Sequence, residues 1–72
     1  MSVNSEYIRA DREFKEAANG AFWYEMVSNT PPTVLLYRGD HTLWMGPYKA
    51  DTKAETVRVA LSAALQAEQG AK

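Results

Sequence analysis

The stretch Thr33-Val34-Leu35-Leu36-Tyr37-Arg38-Gly39-Asp40-His41-Thr42-Leu43-Trp44-Met45-Gly46-Pro47-Tyr48 decides the fold. Two runs rich in β-branched, aromatic and aliphatic residues flank Gly39-Asp40, which predicts a β-hairpin with a two-residue turn. Glycine in the first central position suits a type II′ turn, whose twist matches that of the strands it joins. With Gly39 and Asp40 at the tip, Arg38 pairs with His41, Leu36 with Leu43, Leu35 with Trp44 and Val34 with Met45. Strand side chains alternate with a period of two, so this register predicts two faces. One carries Val34, Leu36, Leu43 and Met45; the other carries Leu35, Tyr37, Thr42 and Trp44. Both are apolar, and a chain of 72 residues has one small core to cover with them.

On the N-terminal side, residues 5–18 read as a helix. Val3, Tyr7, Ala10, Phe14 and Ala17 recur at spacings of four and three, with Ile8 widening the stripe. The opposite face is charged, and Arg9–Glu13, Asp11–Lys15 and Arg12–Glu16 stand at i,i+4. Asn19-Gly20 follows as a C-terminal cap, since both residues tolerate the left-handed conformation. Residues 21–27 form a strand. Placing Glu25 toward solvent sends Phe22, Tyr24 and Met26 to the core and Trp23 and Val27 outward. Pro31 and Pro32, which lack amide donors, mark the connection to the hairpin; a cis bond at either is open.

On the C-terminal side, Thr52-Lys53-Ala54-Glu55 is a capping box. Ala54, Val57, Leu61, Ala64, Leu65 and Glu68 trace the inner stripe of the helix it starts, and Gln69-Gly70 ends that helix. The order is α-β-β-β-α. The fold class expected is α+β, a three-stranded antiparallel meander with both helices packed on one face, in a single small domain over residues 1–72.

Composition narrows the function. The net charge is −1, with three positive and four negative residues in 3–18, two of each in 20–50 and three of each in 51–72. No basic stripe stands ready for phosphates, and no acidic excess suggests a nucleic-acid mimic. There is no cysteine, hence no disulfide and no thiolate site. No run approaches the ~18 apolar residues of a membrane span, and Met1-Ser2-Val3-Asn4 lacks the regions of a secretory signal. A cytoplasmic location is the expectation.

Catalytic chemistry is sparse. His41, the one histidine, neighbours Asp40, but no nucleophile or oxyanion donor set stands near this turn. Neither a metal nor another cofactor is expected, because no ligand cluster has the required spacing. Arg38-Gly39-Asp40 matches the cell-adhesion tripeptide, and a hairpin turn accounts for it fully. The chain reads as non-catalytic.

With both helices on one side, the far side of the sheet presents aromatic and apolar residues. The candidate partner-binding set is Trp23, Glu25, Leu35, Tyr37, Arg38 and Trp44, with the aromatic residues and Leu35 as anchors and Arg38 and Glu25 at the rim. Exposed apolar patches mark interaction surfaces, and Trp, Tyr and Arg dominate binding hot spots. The competing readings are that Pro47-Tyr48, the N-terminus or a loop folds back over this face, or that the two faces are assigned the wrong way round.

Two topological likenesses bear on the partner. The element order is that of double-stranded-RNA-binding domains, and Thr52-Lys53-Ala54-Glu55 through Ala60 to Leu65 resembles the start and body of their last helix. That family clusters lysines at the helix start, where this chain has only Lys53, and it carries a Gly-Pro-x-His motif that is absent here. The Trp23-Tyr24 strand and the passage from Gly46 to Glu55 are similar to the arm-binding domains of phage-type integrases. Those read DNA with a basic sheet, whereas the basic residues here are Arg38, His41 and Lys49. The leading expectation is a small binding protein that acts through an exposed aromatic sheet face on a protein partner. In size and style it is similar to the accessory inhibitors and regulators of bacteria and their phages. Nucleic-acid binding through the sheet and homodimerisation through the same face are the alternatives; no membrane partner is expected.

Overall fold

The computed structural model describes residues 3–70, with side chains from Ser5 onward. Helix α1 (Val3–Ala18) is followed by strands β1 (Phe22–Asn29), β2 (Pro32–Arg38) and β3 (Leu43–Lys49), and then by helix α2 (Lys53–Gly70). The strands form an antiparallel meander in the order β1-β2-β3. Both helices pack on one face of it, as the sequence predicts. Phe14 and Ala10 from α1, Val57, Ala60 and Ala64 from α2, and Phe22, Val34 and Leu36 from the sheet form one buried cluster.

The helices follow from local chemistry. Asn19 and Gly20 take positive φ values of 48° and 82°, and the Asn19 amide donates to the Lys15 carbonyl at 3.0 Å, which closes α1. At the start of α2 the Glu55 amide donates to Thr52 Oγ1 at 3.1 Å. The threonine hydroxyl in turn meets Glu55 Oε1 at 3.3 Å, so the cap is reciprocal, though the carboxylate is held by the hydroxyl rather than by the cap amide. The alanines of α2 at 54, 60 and 64 are buried, and their small size lets the helix lie close to β2. Arg58 on α2 reaches Glu13 at 3.3 Å and Glu6 at 3.4 Å, which ties the two helices side by side.

Several helix-face assignments are corrected. The α1 stripe runs through Ala10, Phe14 and Ala18, so Ala17 and Ile8 face solvent; Val3's side chain lies outside the described residues. Leu65, expected inside, is 38% exposed, because the stripe of α2 centres on Ala60 and Ala64. Asp11–Lys15 forms at 3.0 Å. Arg9 turns instead to Glu6 at 3.3 Å, since Arg58 occupies Glu13, and Arg12–Glu16 does not form among the described residues.

The larger correction lies in the hairpin. The Arg38 amide donates to the Thr42 carbonyl at 2.9 Å, and the His41 amide to the Arg38 carbonyl at 2.9 Å. The loop is therefore the three residues Gly39-Asp40-His41, with His41 in the left-handed region at φ 71°. One added loop residue moves β3 by one position, and a slip of one exchanges the faces. Tyr37 now pairs with Leu43 and Leu36 with Met45. Trp44 is the extra residue of a β-bulge, which allows it and Met45 to turn to the same side. Both pack against the core, as does Tyr48, whereas Leu43 is 64% exposed. Trp44 thus belongs to the helix side of the sheet, and Leu43 to the outer side.

A second irregularity sits between the Leu36–Met45 and Val34–Tyr48 pairs. Gly46 there has φ 126°, and a Cβ would lie 3.2 Å from both Leu35 Cα and the Val34 carbonyl oxygen. The Gly46-Pro47 and Thr30-Pro31 bonds are cis. Replacing Gly46 by Ala forces a side chain into a conformation costing about 1–3 kcal/mol and against backbone that cannot yield. Thr52→Ala removes one helix cap, worth about 1 kcal/mol. In urea denaturation Gly46→Ala should therefore lower stability more than Thr52→Ala; the reverse order would refute the assignment of Gly46 as an obligatory close approach.

Candidate functional site

The outer face of the sheet is built by alternation. On β1, Phe22, Tyr24 and Met26 pack on the core, so Trp23 and Glu25 point away from the helices; Val27 is the extra residue of a bulge and is exposed. On β2, Val34 and Leu36 are fully buried, and Leu35 and Tyr37 take the outer side. The β1–β2 register sets Trp23 opposite Tyr37 and Glu25 opposite Leu35. Trp23 and Tyr37 are stacked with ring centroids 4.5 Å apart and planes at 13°. His41 meets the Trp23 ring edge-on at 5.1 Å, and Leu43 extends the row beyond Tyr37. The Tyr37 hydroxyl donates to Glu25 Oε1 at 3.0 Å, and this bond to a carboxylate holds the phenol above its ordinary value. Tyr48 does not fold over the face, because its side chain packs against the core on the helix side and its hydroxyl donates to Met45 Sδ at 3.7 Å.

Four of the six residues singled out from the sequence therefore come together here: Trp23, Glu25, Leu35 and Tyr37. Arg38 and Trp44 do not. The Arg38 guanidinium lies 4.0 Å from the Trp44 ring centroid and pairs with Glu68 of α2 at 2.9 Å, and Trp44 packs on Phe22 at 5.5 Å. Together they close one end of the core. The adhesion tripeptide is likewise committed to structure, since Asp40 Oδ1 accepts from both the amide and the hydroxyl of Thr42. Those two bonds hold its carboxyl below the usual range. Leu43 and His41 are the outer-face residues that sequence reasoning missed. The Asp40-x-Thr42 pattern, in which an aspartate can bond the chain two residues on, was the signal for the longer loop.

A second feature lies on the helix side, where α1 runs along β1. A groove of about 500 Å³ opens there between Tyr7, Asp11 and Lys15 on α1 and Phe22, Tyr24 and Met26 on β1. The Tyr24 hydroxyl donates to Asp11 Oδ1 at 2.5 Å, with the Tyr7 hydroxyl at 3.2 Å. Burial, reinforced by the bonds to Asp11 and Tyr7, pushes the Tyr24 phenol far above its ordinary value. Burial works against ionisation of Asp11 too, but the bonds from Tyr24 and Lys15 and the Lys15 charge outweigh it and hold the carboxyl low.

No group of three or more metal-ligating side chains occurs among the described residues, and no helix among them is long and apolar enough to cross a membrane. No protein-family model, no curated protein and no solved structure matches this chain.

The Tyr24–Asp11 pair contributes to the pH response of stability at both ends. Asp11 has a folded pKa below its ordinary 3.8, so its contribution is present above that pH and is lost as pH falls through the folded value. Tyr24 is raised above 10.0, so its contribution is complete below pH 10 and declines as pH rises beyond it, when only the unfolded chain ionises. Urea unfolding across pH should show Asp11→Asn flattening the acid limb and Tyr24→Phe flattening the alkaline limb. Unchanged limbs in both variants would refute the coupling.

Proposed function

We propose that this chain is a non-catalytic binding protein that engages a protein partner through the outer face of its sheet. The observation that carries the reading is the stacked Trp23–Tyr37 pair, flanked by exposed Leu43 on a face that neither helix covers. Large aromatic side chains supply contact area at low entropic cost, and aliphatic neighbours exclude water around them. Glu25 and His41 give the patch a polar rim, and Leu35 fills it below Tyr37.

Nucleic-acid binding is less well supported by the same geometry. Trp23 and Tyr37 stack on one another, which occupies one ring face of each, and Glu25 places a negative charge where a phosphate backbone would run. Arg38, the cation nearest the face in sequence, is engaged by Trp44 and Glu68.

The test is affinity capture from an extract of the source cell, followed by titration of the captured protein against variants. Tyr37→Ala and Leu43→Asp should each weaken binding at least tenfold, in line with hot-spot losses of about 2 kcal/mol or more. Val59→Asp, on the exposed side of α2, should leave it unchanged. Loss of binding in Val59→Asp with retention in Tyr37→Ala would overturn the reading. An affinity that falls steeply with salt and follows nucleic acid in the extract would replace it with the second one.

A further inference from the structure

The sheet has two edges, and they differ. The edge of β3 is interrupted by the Trp44 bulge, by Gly46 and by Pro47, which are devices that prevent another strand from adding. The edge of β1 carries none of them from Phe22 to Met26; its register with β2 is regular there and breaks only between Met26 and Ser28. The direction of its backbone groups follows from one bond. Gly39 donates its amide to the Ala21 carbonyl at 3.0 Å, so odd-numbered positions of β1 face β2. Phe22, Tyr24 and Met26 therefore direct their amides and carbonyls away from the sheet. Among the described residues no turn, loop or cap bond reaches them. This is a regular, largely apolar open edge, with Glu25 as its one charge.

We infer that β1 pairs with β1 of a second copy about a two-fold axis at Tyr24, joining two three-stranded sheets into one of six strands. The regular stretch is centred on Tyr24, so this axis uses all of it. Phe22 lies opposite Met26 of the second copy, and Tyr24 opposite its own equivalent. Each of these residues then finds partners for both backbone groups. Trp23 lies opposite Glu25 of the second copy. Moving the axis to Glu25 would set two carboxylates face to face, which antiparallel pairs disfavour.

The flank of α1 beside this edge fits the same occupant. Asp11 and Lys15 line the groove next to β1, and Ile8, three residues before Asp11 on that flank, is 58% exposed. A two-fold axis brings the same flank of the second copy opposite, so the Asp11–Lys15 ion pair of each copy runs antiparallel to that of the other, and each isoleucine loses water contact. On the opposite side the two outer aromatic faces become continuous. The inference is independent of the function proposed for that face.

The test uses the unaltered chain. Light scattering on a sizing column should give twice the 8.1 kDa of one chain. Amide hydrogen exchange should show Tyr24 and Met26 protected to the level of Trp23 and Glu25, with that protection lost on dilution. Because the chain has no cysteine of its own, an oxidised mixture of Trp23→Cys and Glu25→Cys proteins should cross-link to each other in preference to themselves. A single-chain mass at every concentration, with Tyr24 and Met26 exchanging as open backbone, overturns the inference. So does a doubled mass that Leu43→Asp reduces to one chain while those amides stay unprotected, since the contact would then be the outer face. Protection that appears only when a different protein is added overturns it in favour of strand addition by that protein.

Discussion

The hydrogen bond from the Arg38 amide to the Thr42 carbonyl sets the number of residues in the hairpin loop, and most of the structure depends on that number. Three loop residues place Leu43 opposite Tyr37 and expose it, and the bulge at Trp44 then turns two large consecutive side chains toward the helices. A further irregularity at Gly46 brings Tyr48 to the same side. The consequence is energetic as well as geometric. The inner face of α2 is largely alanine, with Val57 and Thr56 the larger buried residues, so it offers little bulk of its own. Trp44, Met45 and Tyr48 from β3, with Phe22 from β1, supply the volume that a close-packed interior requires.

The loop is also fastened at both sides. Gly39 sits so close to the α1–β1 joint that a Cβ would lie 2.9 Å from the Gly20 carbonyl oxygen. Arg38 is held between the Trp44 ring and Glu68 near the end of α2. The turn that fixes register is thus docked on the residues that end the first helix, and the strand it terminates is linked to the last. Local choices at 19–20 and 38–41 reinforce one another, which is the consistency expected of a sequence that specifies one structure.

How much of this was legible depends on the strength of each local signal. Element order, the capping box and the α1 cap follow from residue types at fixed offsets, and the structure has them. The faces of β1 follow from one charge, Glu25, in an otherwise apolar run. Nothing comparable anchors β3, whose seven residues offer large apolar groups at both parities. Its facing rested on the turn alone, and Gly39-Asp40 reads equally as a two-residue tip or as the first part of a longer one. A histidine in the left-handed region is uncommon, so the third loop residue passed unseen, and with it went the placement of Trp44, Arg38 and Leu43. Trp23, Glu25, Leu35 and Tyr37 were placed well because they lie on strands whose register does not involve that turn.

On the reading proposed above, the outer face suits a partner because much of it is ordered before any partner arrives. Its one carboxylate, Glu25, accepts from Tyr37, whereas the Trp23 indole N–H is buried without a hydrogen-bond partner among the described residues. The two rings that supply most of the area are fixed against each other across paired strands, and their order is established when the chain folds rather than when a partner arrives. Association loses affinity through desolvation of imperfectly paired polar groups and through ordering of side chains. A rigid aromatic pair reduces the second loss, and the bond from Tyr37 reduces the first at Glu25. The same argument explains why Arg38 on the helix side is no deficit to the face: a free guanidinium at the rim would add a charge to be desolvated, whereas against Trp44 and Glu68 it strengthens the core that holds Tyr37 in place.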